Sequence, residues 1–355
     1  MPWLSPDDIL SYDGDGGPFA DLVDEASLPL GTALYDAGGP IRARLLSSTR
    51  TRDPLALLRT RLERAEHRRR VDTKHTASTA YRLCHGEADG VPGLFVDCFG
   101  DGVVADVDAE PLLPYLDALL DGLFARLQMR TLVVRAAGTS RLVRGSSTSA
   151  SFQLEGLDLD VDLVADDVRR LSAELDAMRR LRPFARGRVL DVYANTGGFA
   201  IQLLDGGASE AVLIDSSRGL ALRAANDHTR NGLRGPLEVI EADPLRWLKK
   251  ARGSFDLVVC HPPHEALPPT QAEERAIEIA SAALRLVGEG AIFAARSSSA
   301  SLDDDRFAAA LQDAGSQYRR RLQVLARLGP GPDHPTLAGT RLPPSVLVMR
   351  VLSTS

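Results

Sequence analysis

Four stretches that could bind or alter a ligand follow one another in the second half of the chain. "VLDVYANTGGF" at 189–199 is an apolar run that ends in Asp191, passes through Tyr193, Asn195 and Thr196, and breaks at Gly197 and Gly198 before Phe199. Glycines at such a break let the backbone approach a ligand at a helix amino terminus, where unpaired N–H groups collect. "LIDSS" sets Asp215 and Ser216 after the next apolar run, at roughly the 20-residue interval where an acid meets the two hydroxyls of a ribose. "EADPLRW" offers Asp243 and Pro244, a carboxylate that could accept from the amino group of an adenine. "CHPPH" offers Cys260 and His261 beside a turn stiffened by Pro262 and Pro263.

Each stretch alone is weak, since an acid after a strand is often only a helix cap. Together and in order they describe an adenosine site. The first loop lacks the Gly-x-Gly-x-x-Gly arrangement that cradles a pyrophosphate. S-adenosylmethionine carries no phosphate, so the spacing favours this methyl donor over a dinucleotide.

The elements that must position these residues are legible as a pattern. "GRVLDVYA", "EAVLID", "PLEVIEAD", "FDLVVCHP" and "GAIFAARS" are strand-like, end near polar residues and alternate with helical stretches. That alternation predicts a parallel, doubly wound, Rossmann-like α/β domain over 168–355, with ligands at the carboxyl ends of the strands. Residues 78–167 read as a smaller α+β domain with an amphipathic helix near 111–128, and 1–50 as a β-rich module. The link between them, 51–77, contains the arginine-rich helix "LLRTRLERAEHRRR" at 57–70.

Composition excludes several classes. With 355 residues, 44% hydrophobic and 25% charged, the chain has the make-up of an ordinary globular protein. No run of 18 apolar residues and no leader-like start are visible, so no membrane span is expected and the cytoplasm is the expected compartment. Cys84, Cys98 and Cys260 lack metal-ligand spacing, and no metal site is expected. A net charge of −6 argues against a uniformly nucleic-acid-binding surface, which leaves Arg68, Arg69 and Arg70 as the candidate phosphate-binding patch.

Longer segments bring a resemblance into view. "RLCHGEADGVPGLFVDCFGD" at 82–101, "LDVYANTGGF" at 190–199 and "VLARLGPGPDHPTLAG" at 324–339 resemble the ribosomal-RNA large-subunit methyltransferase I family, over nearly the whole chain. The resemblance implies a class I methyltransferase domain preceded by a truncated RNA-binding PUA-like module. It implies S-adenosylmethionine as cofactor, RNA as partner, and methylation of a cytosine carbon-5 in 23S ribosomal RNA as part of rRNA processing. A homodimer is left open.

The departures from that family fall where it does its chemistry. "VRRLSAELDAM" at 168–178 replaces a family segment before the cofactor domain and keeps only its Leu and Asp, as Leu175 and Asp176. His261 stands where the family has an aspartate, and "AARSSSAS" at 294–301 lacks the family's cysteine. Carbon-5 of cytosine becomes nucleophilic only after a thiolate adds to carbon-6. Cys260 is the one nearby thiol, and its bland alternative is a small apolar residue ending a buried strand. His261 is the expected proton acceptor if a nitrogen or hydroxyl is methylated by direct displacement instead. Three functions stay open: an active methyltransferase with altered substrate choice, a non-catalytic relative that binds the cofactor, RNA or a protein, and a small-molecule methyltransferase.

Overall fold

The computed structural model describes residues 3–9, 11, 17–72, 77–217, 219–265, 267–299, 301–340 and 342–353. Its two compact units are interleaved in sequence. One comprises Met1–Phe152, Asp162–Ala165 and Pro332–Thr340, the other Gln153–Val161, Asp166–Gly331 and Arg341–Ser355.

Among the described residues the first unit holds two sheets and two α-helices. Strands β1 (Trp3–Leu4), β2 (Phe19–Val23), β3 (Pro29–Tyr35) and β4 (Ala43–Ser47) form an antiparallel sheet in the order β1-β4-β3-β2. Helix α1 (Pro54–Asp72) follows, then β5 (Ala80–His85), β6 (Leu94–Phe99), β7 (Gly102–Val107), α2 (Leu116–Arg126), β8 (Thr131–Ala136) and β9 (Thr139–Arg144). These five strands pair in chain order, and only β7 and β8 are parallel, because α2 supplies the crossover that a parallel pair needs. Leu58, Leu62 and Ala65 recur at helical spacing and are fully buried. Leu58 and Leu62 share one core with Leu34 and Leu46 of the first sheet and Leu83, Leu94 and Val96 of the second.

A hairpin, β10 (Ser149–Leu154) and β11 (Leu157–Asp162), leads to α3 (Val168–Leu181), whose amino terminus is capped by Asp167 accepting from Arg170 N. The second unit then alternates: β12 (Arg188–Val192), α4 (Gly198–Asp205), β13 (Glu210–Asp215), α5 (Leu220–Arg230), β14 (Leu237–Glu241), α6 (Pro244–Lys250), β15 (Phe255–Cys260), α7 (Pro269–Leu284), β16 (Val287–Ala295), α8 (Asp304–Ser316), β17 (Arg320–Leu328) and β18 (Val346–Ser353). The seven strands order as β14-β13-β12-β15-β16-β18-β17, with β18 antiparallel to both neighbours. The doubly wound α/β sheet expected from the sequence is present. Strand order reverses between β12 and β15, which makes their carboxyl ends the place for a ligand.

Strand alternation sorts the two faces of this sheet. Leu190, Val192, Val258, Cys260, Phe293 and Ala295 point into one core with Leu248 of α6, Ile279 and Leu284 of α7, and Phe307 and Leu311 of α8. Asp191 pairs in register with Val259, and His261 lies two residues further on. Asp191 and His261 therefore belong to the opposite face, toward α3 and α4.

Candidate active site

The loop after β12 is held by the chain's own backbone. Tyr193 N and Ala194 N donate to Ile214 O at 2.9 and 3.2 Å, and Asn195 N donates to Asp215 Oδ2 at 2.9 Å. The Asn195 side chain is tied to the backbone of Asp167, accepting from its N at 3.2 Å and donating to its O at 3.1 Å. Tyr193 and Asn195 sit at φ +63° and +55°, a left-handed conformation that costs a side-chain-bearing residue of order 1–3 kcal/mol. Gly197, also left-handed at +83°, immediately precedes α4, and a Cβ there would stand 2.8 Å from Leu213 Cδ2. A Cβ on Gly198 would meet the end of Met178 at 3.0 Å. The two glycines are thus required by internal packing as well as suited to a ligand.

Asp191 is fully buried beneath this loop. Its Oδ2 accepts from Ala200 N at 3.2 Å, while Oδ1 is buried without a partner. Burial, with Glu174 adding repulsion, pushes the Asp191 carboxyl up to about 7. At the end of β13, Asp215 accepts from Asn195 N through one oxygen and from Ser217 N through the other, at 2.9 and 2.8 Å. Each oxygen keeps a second lone pair, enough for ribose hydroxyls. Asp243 is exposed after β14 and caps α6 by accepting from Arg246 N at 2.7 Å. Thr196, Phe199, Pro244 and Pro262 are buried nearby in the same unit, and Ser216 is exposed. The parallel strands bring all of these to one edge of the sheet.

A buried charged cluster at this edge went unrecognised in the sequence. Arg170 of α3 donates to His261 O at 2.7 Å and to Tyr193 O at 3.0 Å, tying together the loops after β15 and β12. Glu174, one turn on, lies 3.1 Å from His261 Nδ1, 3.6 Å from Arg170 Nε and 3.9 Å from Arg296 Nη2. Burial would lift the Glu174 carboxyl, but Arg170, His261 and Arg296 outweigh it and hold it below its usual value. Burial pushes the His261 imidazole below its usual value, against the pull of Glu174. An ionised carboxylate only accepts, so Nδ1 carries the imidazole proton and donates it. Nε2 is then a lone-pair acceptor, and it is buried without a partner. The Phe199 ring meets the imidazole edge-on, centroids 4.7 Å apart. The signal in the sequence was the i, i+4 pair Arg170 and Glu174 bordering the apolar stripe Val168, Leu171, Leu175 and Met178.

Two expected sites are corrected. Cys260 does not reach the reacting edge: it faces the core on the α6 and α7 side of the sheet, fully buried, and burial raises its thiol further from ionisation. Arg69 does not belong to a surface patch, because its guanidinium is 2% exposed, donates to Arg82 O and pairs with Asp89. Arg68 is half-exposed and also reaches Asp89, at 2.9 Å, whereas Arg70 is open to solvent.

Comparison with known proteins bears on the whole chain. Residues 189–288 match the family described as "Methyltransferase domain". A ribosomal RNA large subunit methyltransferase of Deinococcus radiodurans is 28% identical over 94% of this chain and 89% of its own length. Ribosomal RNA large subunit methyltransferase I of Escherichia coli O157:H7 is 27% identical over 95% of this chain and 91% of its own. Over nearly its whole length the chain is thus similar to ribosomal RNA large subunit methyltransferases, and its second half carries a methyltransferase domain. Two solved structures share the fold, one of a protein from Streptococcus mutans assigned as a SAM-dependent methyltransferase and one of a protein assigned as a methyltransferase and complexed with SAH. Each gives a TM-score of 0.83 at 16% identity over 98% of this chain and 95% of the other.

The other two quoted segments, at 82–101 and 324–339, place their acidic residues in the first unit. Asp89, from "GEADG", accepts from His85 N at 2.7 Å besides pairing with Arg68 and Arg69. Asp333, from "PDHP", accepts from Arg82 N at 2.8 Å, and His334 stands on it at 3.0 Å. Arg82 itself forks onto both oxygens of buried Asp97 at 2.6 and 2.8 Å. The two segments are therefore joined through β5 into one polar scaffold.

Proposed function

We propose that this chain transfers a methyl group from S-adenosylmethionine to ribosomal RNA of the large subunit. The observation that carries the cofactor is Asp191 Oδ1, a buried acceptor with no donor at the carboxyl end of the central strand. A ligand bearing an ammonium group fits it, and Asp215 and Asp243 supply the remaining acceptors for an adenosine. When bound, the cofactor supplies an electrophilic methyl group on a sulfonium. The chain's own task is to hold the loops after β12 and β15 in register through Arg170, to exclude water with Phe199 and Pro262, and to receive a proton. RNA as substrate rests on the names of relatives that align over nearly the full chain.

Carbon-5 of a cytosine is disfavoured as the target. All three cysteines are buried with raised thiols, Cys84 and Cys98 within the first unit and Cys260 in the α7-side core. The RNA-facing part of α1 is redrawn as Arg64, Arg68 and Arg70, with Arg64, His67 and Arg68 lining one shallow groove. Incubation with tritiated S-adenosylmethionine and ribosomal RNA from a strain lacking the gene should label the large-subunit RNA, and nucleoside mapping would name the product. A protein that binds the cofactor yet labels no RNA would refute the substrate.

A further inference from the structure

Three segments distant in sequence meet at one point: α3 through Arg170 and Glu174, the β15 loop through His261, and the β16 loop through Arg296. We propose that Glu174 positions His261 with Nε2 as the proton acceptor of the transfer, so that the methylated atom is a nitrogen or oxygen bearing a proton. This rests on the functional reading above.

The argument is geometric. A buried acceptor left unpaired is costly, and this site leaves two, His261 Nε2 and Asp191 Oδ1, on the same sheet face at the switch point. The charged groups around the imidazole are Arg170 and Glu174 from α3, Arg296 from the β16 loop and, coupled through Glu174, Asp191 of β12. Burial, with the two guanidiniums adding repulsion, disfavours an imidazolium before the reaction, so the ring starts neutral with its lone pair available. The single carboxylate in hydrogen-bond reach stabilises the positive charge once the proton arrives. In the step itself the substrate N or O forms a bond to the methyl carbon as the carbon–sulfur bond breaks, the bonding pair staying on sulfur. The proton leaving that N or O goes to Nε2. The imidazolium later returns it to water, and no thiol or oxidant is needed.

The test has two arms. Imidazole 15N NMR of the cofactor-free protein, with the His261 signal identified by its loss in His261→Asn, should show the neutral ring protonated at Nδ1 at pH 7. An Nε2–H tautomer or a charged ring there overturns the proposal, whether or not a substrate is known. With labelled RNA in hand, His261→Asn keeps a donor to Glu174 but has no base. Single-turnover transfer should fall at least about 100-fold, the scale of general-base catalysis, with S-adenosylhomocysteine affinity within about threefold. Glu174→Gln should move the acidic limb of the rate profile to lower pH and lower the plateau. A purely structural Glu174 would leave the limb in place, and a wild-type rate in His261→Asn would sink the proposal. A wild-type protein with the Nδ1–H tautomer that methylates no RNA would instead defeat the functional reading.

Discussion

The two units each bury a charged network, and they finish it differently. Around Asp89 and Asp97 the first unit closes its charges: Asp89 takes Arg68, Arg69 and a backbone N–H, and Asp97 takes Arg82 twice. Around Glu174 the second unit stops short, leaving Asp191 Oδ1 and His261 Nε2 buried and unpaired. Closed networks fix a backbone, whereas open ones hold free energy that a ligand can release. His334 Nε2 is also unpaired in the first unit, but its ring is anchored by Asp333 and edge-on to His85, part of the scaffold that joins two loops. The difference marks the second network as the candidate site.

The largest effect should come from opening the closed network. Asp89→Ala removes the carboxylate that pairs with the buried Arg69 guanidinium and accepts from His85 N. Breaking a buried pair by removing one partner costs about 3–5 kcal/mol. Denaturant unfolding should report that loss. An Asp89→Ala protein as stable as the wild type would show that the scaffold is not what holds the "GEADG" turn.

The converse substitution in the open network should stabilise. Asp191 titrates near 3.8 when unfolded and at about 7 when folded, so between those values the unfolded state binds fewer protons. Its unfavourable contribution is absent below pH 3.8, grows as pH rises, and is complete above about 7, where it amounts to about 4 kcal/mol. Asp191→Asn should therefore raise thermal stability at pH 8 and leave it little changed at pH 4. It should also remove a pH dependence of cofactor binding. In the wild type, S-adenosylhomocysteine affinity should fall up to about tenfold per pH unit below 7, because the ammonium needs the carboxylate ionised. Calorimetry finding the same affinity at pH 5.5 and pH 8 would reject contact with Asp191.

How much of this was legible beforehand follows from which interactions are local. The doubly wound sheet, and Asp191, Asp215 and Asp243 at its edge, were readable because strand ends and loop glycines are short-range signals. Arg69 was misread because helical spacing placed it among arginines of a solvated face, and its partner Asp89 lies 20 residues away along the chain. Cys260 and His261 are sequence neighbours, yet strand alternation sends them to opposite faces, a distinction that needs the register with β12. Of the Glu174 cluster only His261 is legible as a candidate in the sequence. Its members come from three segments and become a site only through tertiary contact.

A smaller effect is expected at Asp215. Asp215→Ala removes the acceptors of Asn195 N and Ser217 N as well as the proposed ribose contacts. Cofactor affinity should weaken by about 1.5–3 kcal/mol, the scale of hydrogen bonds to a charged group. Unchanged binding would leave Asp215 as a loop anchor only.

The smallest and most salt-sensitive effect belongs to α1, where the same helix carries a closed network on one face and open charges on another. Arg64 and Arg70 are exposed, Arg68 is half-exposed, and Arg69 is buried. Reversing the first three to Glu removes candidate phosphate contacts while Arg69 continues to hold Asp89. Each contact with single-stranded RNA contributes about 0.7 to the slope of log affinity against log salt, so three lost contacts should flatten it by about 2. Far-ultraviolet dichroism should be unchanged, since the buried stripe Leu58, Leu62 and Ala65 is untouched. If the triple variant folds and binds ribosomal RNA with the wild-type slope, α1 is a supporting helix and the RNA lies on another surface. If Arg69→Met alone lowers RNA affinity as much as the triple variant does, RNA binding depends on the closed network's geometry, and the division of the helix into a structural face and a binding face fails.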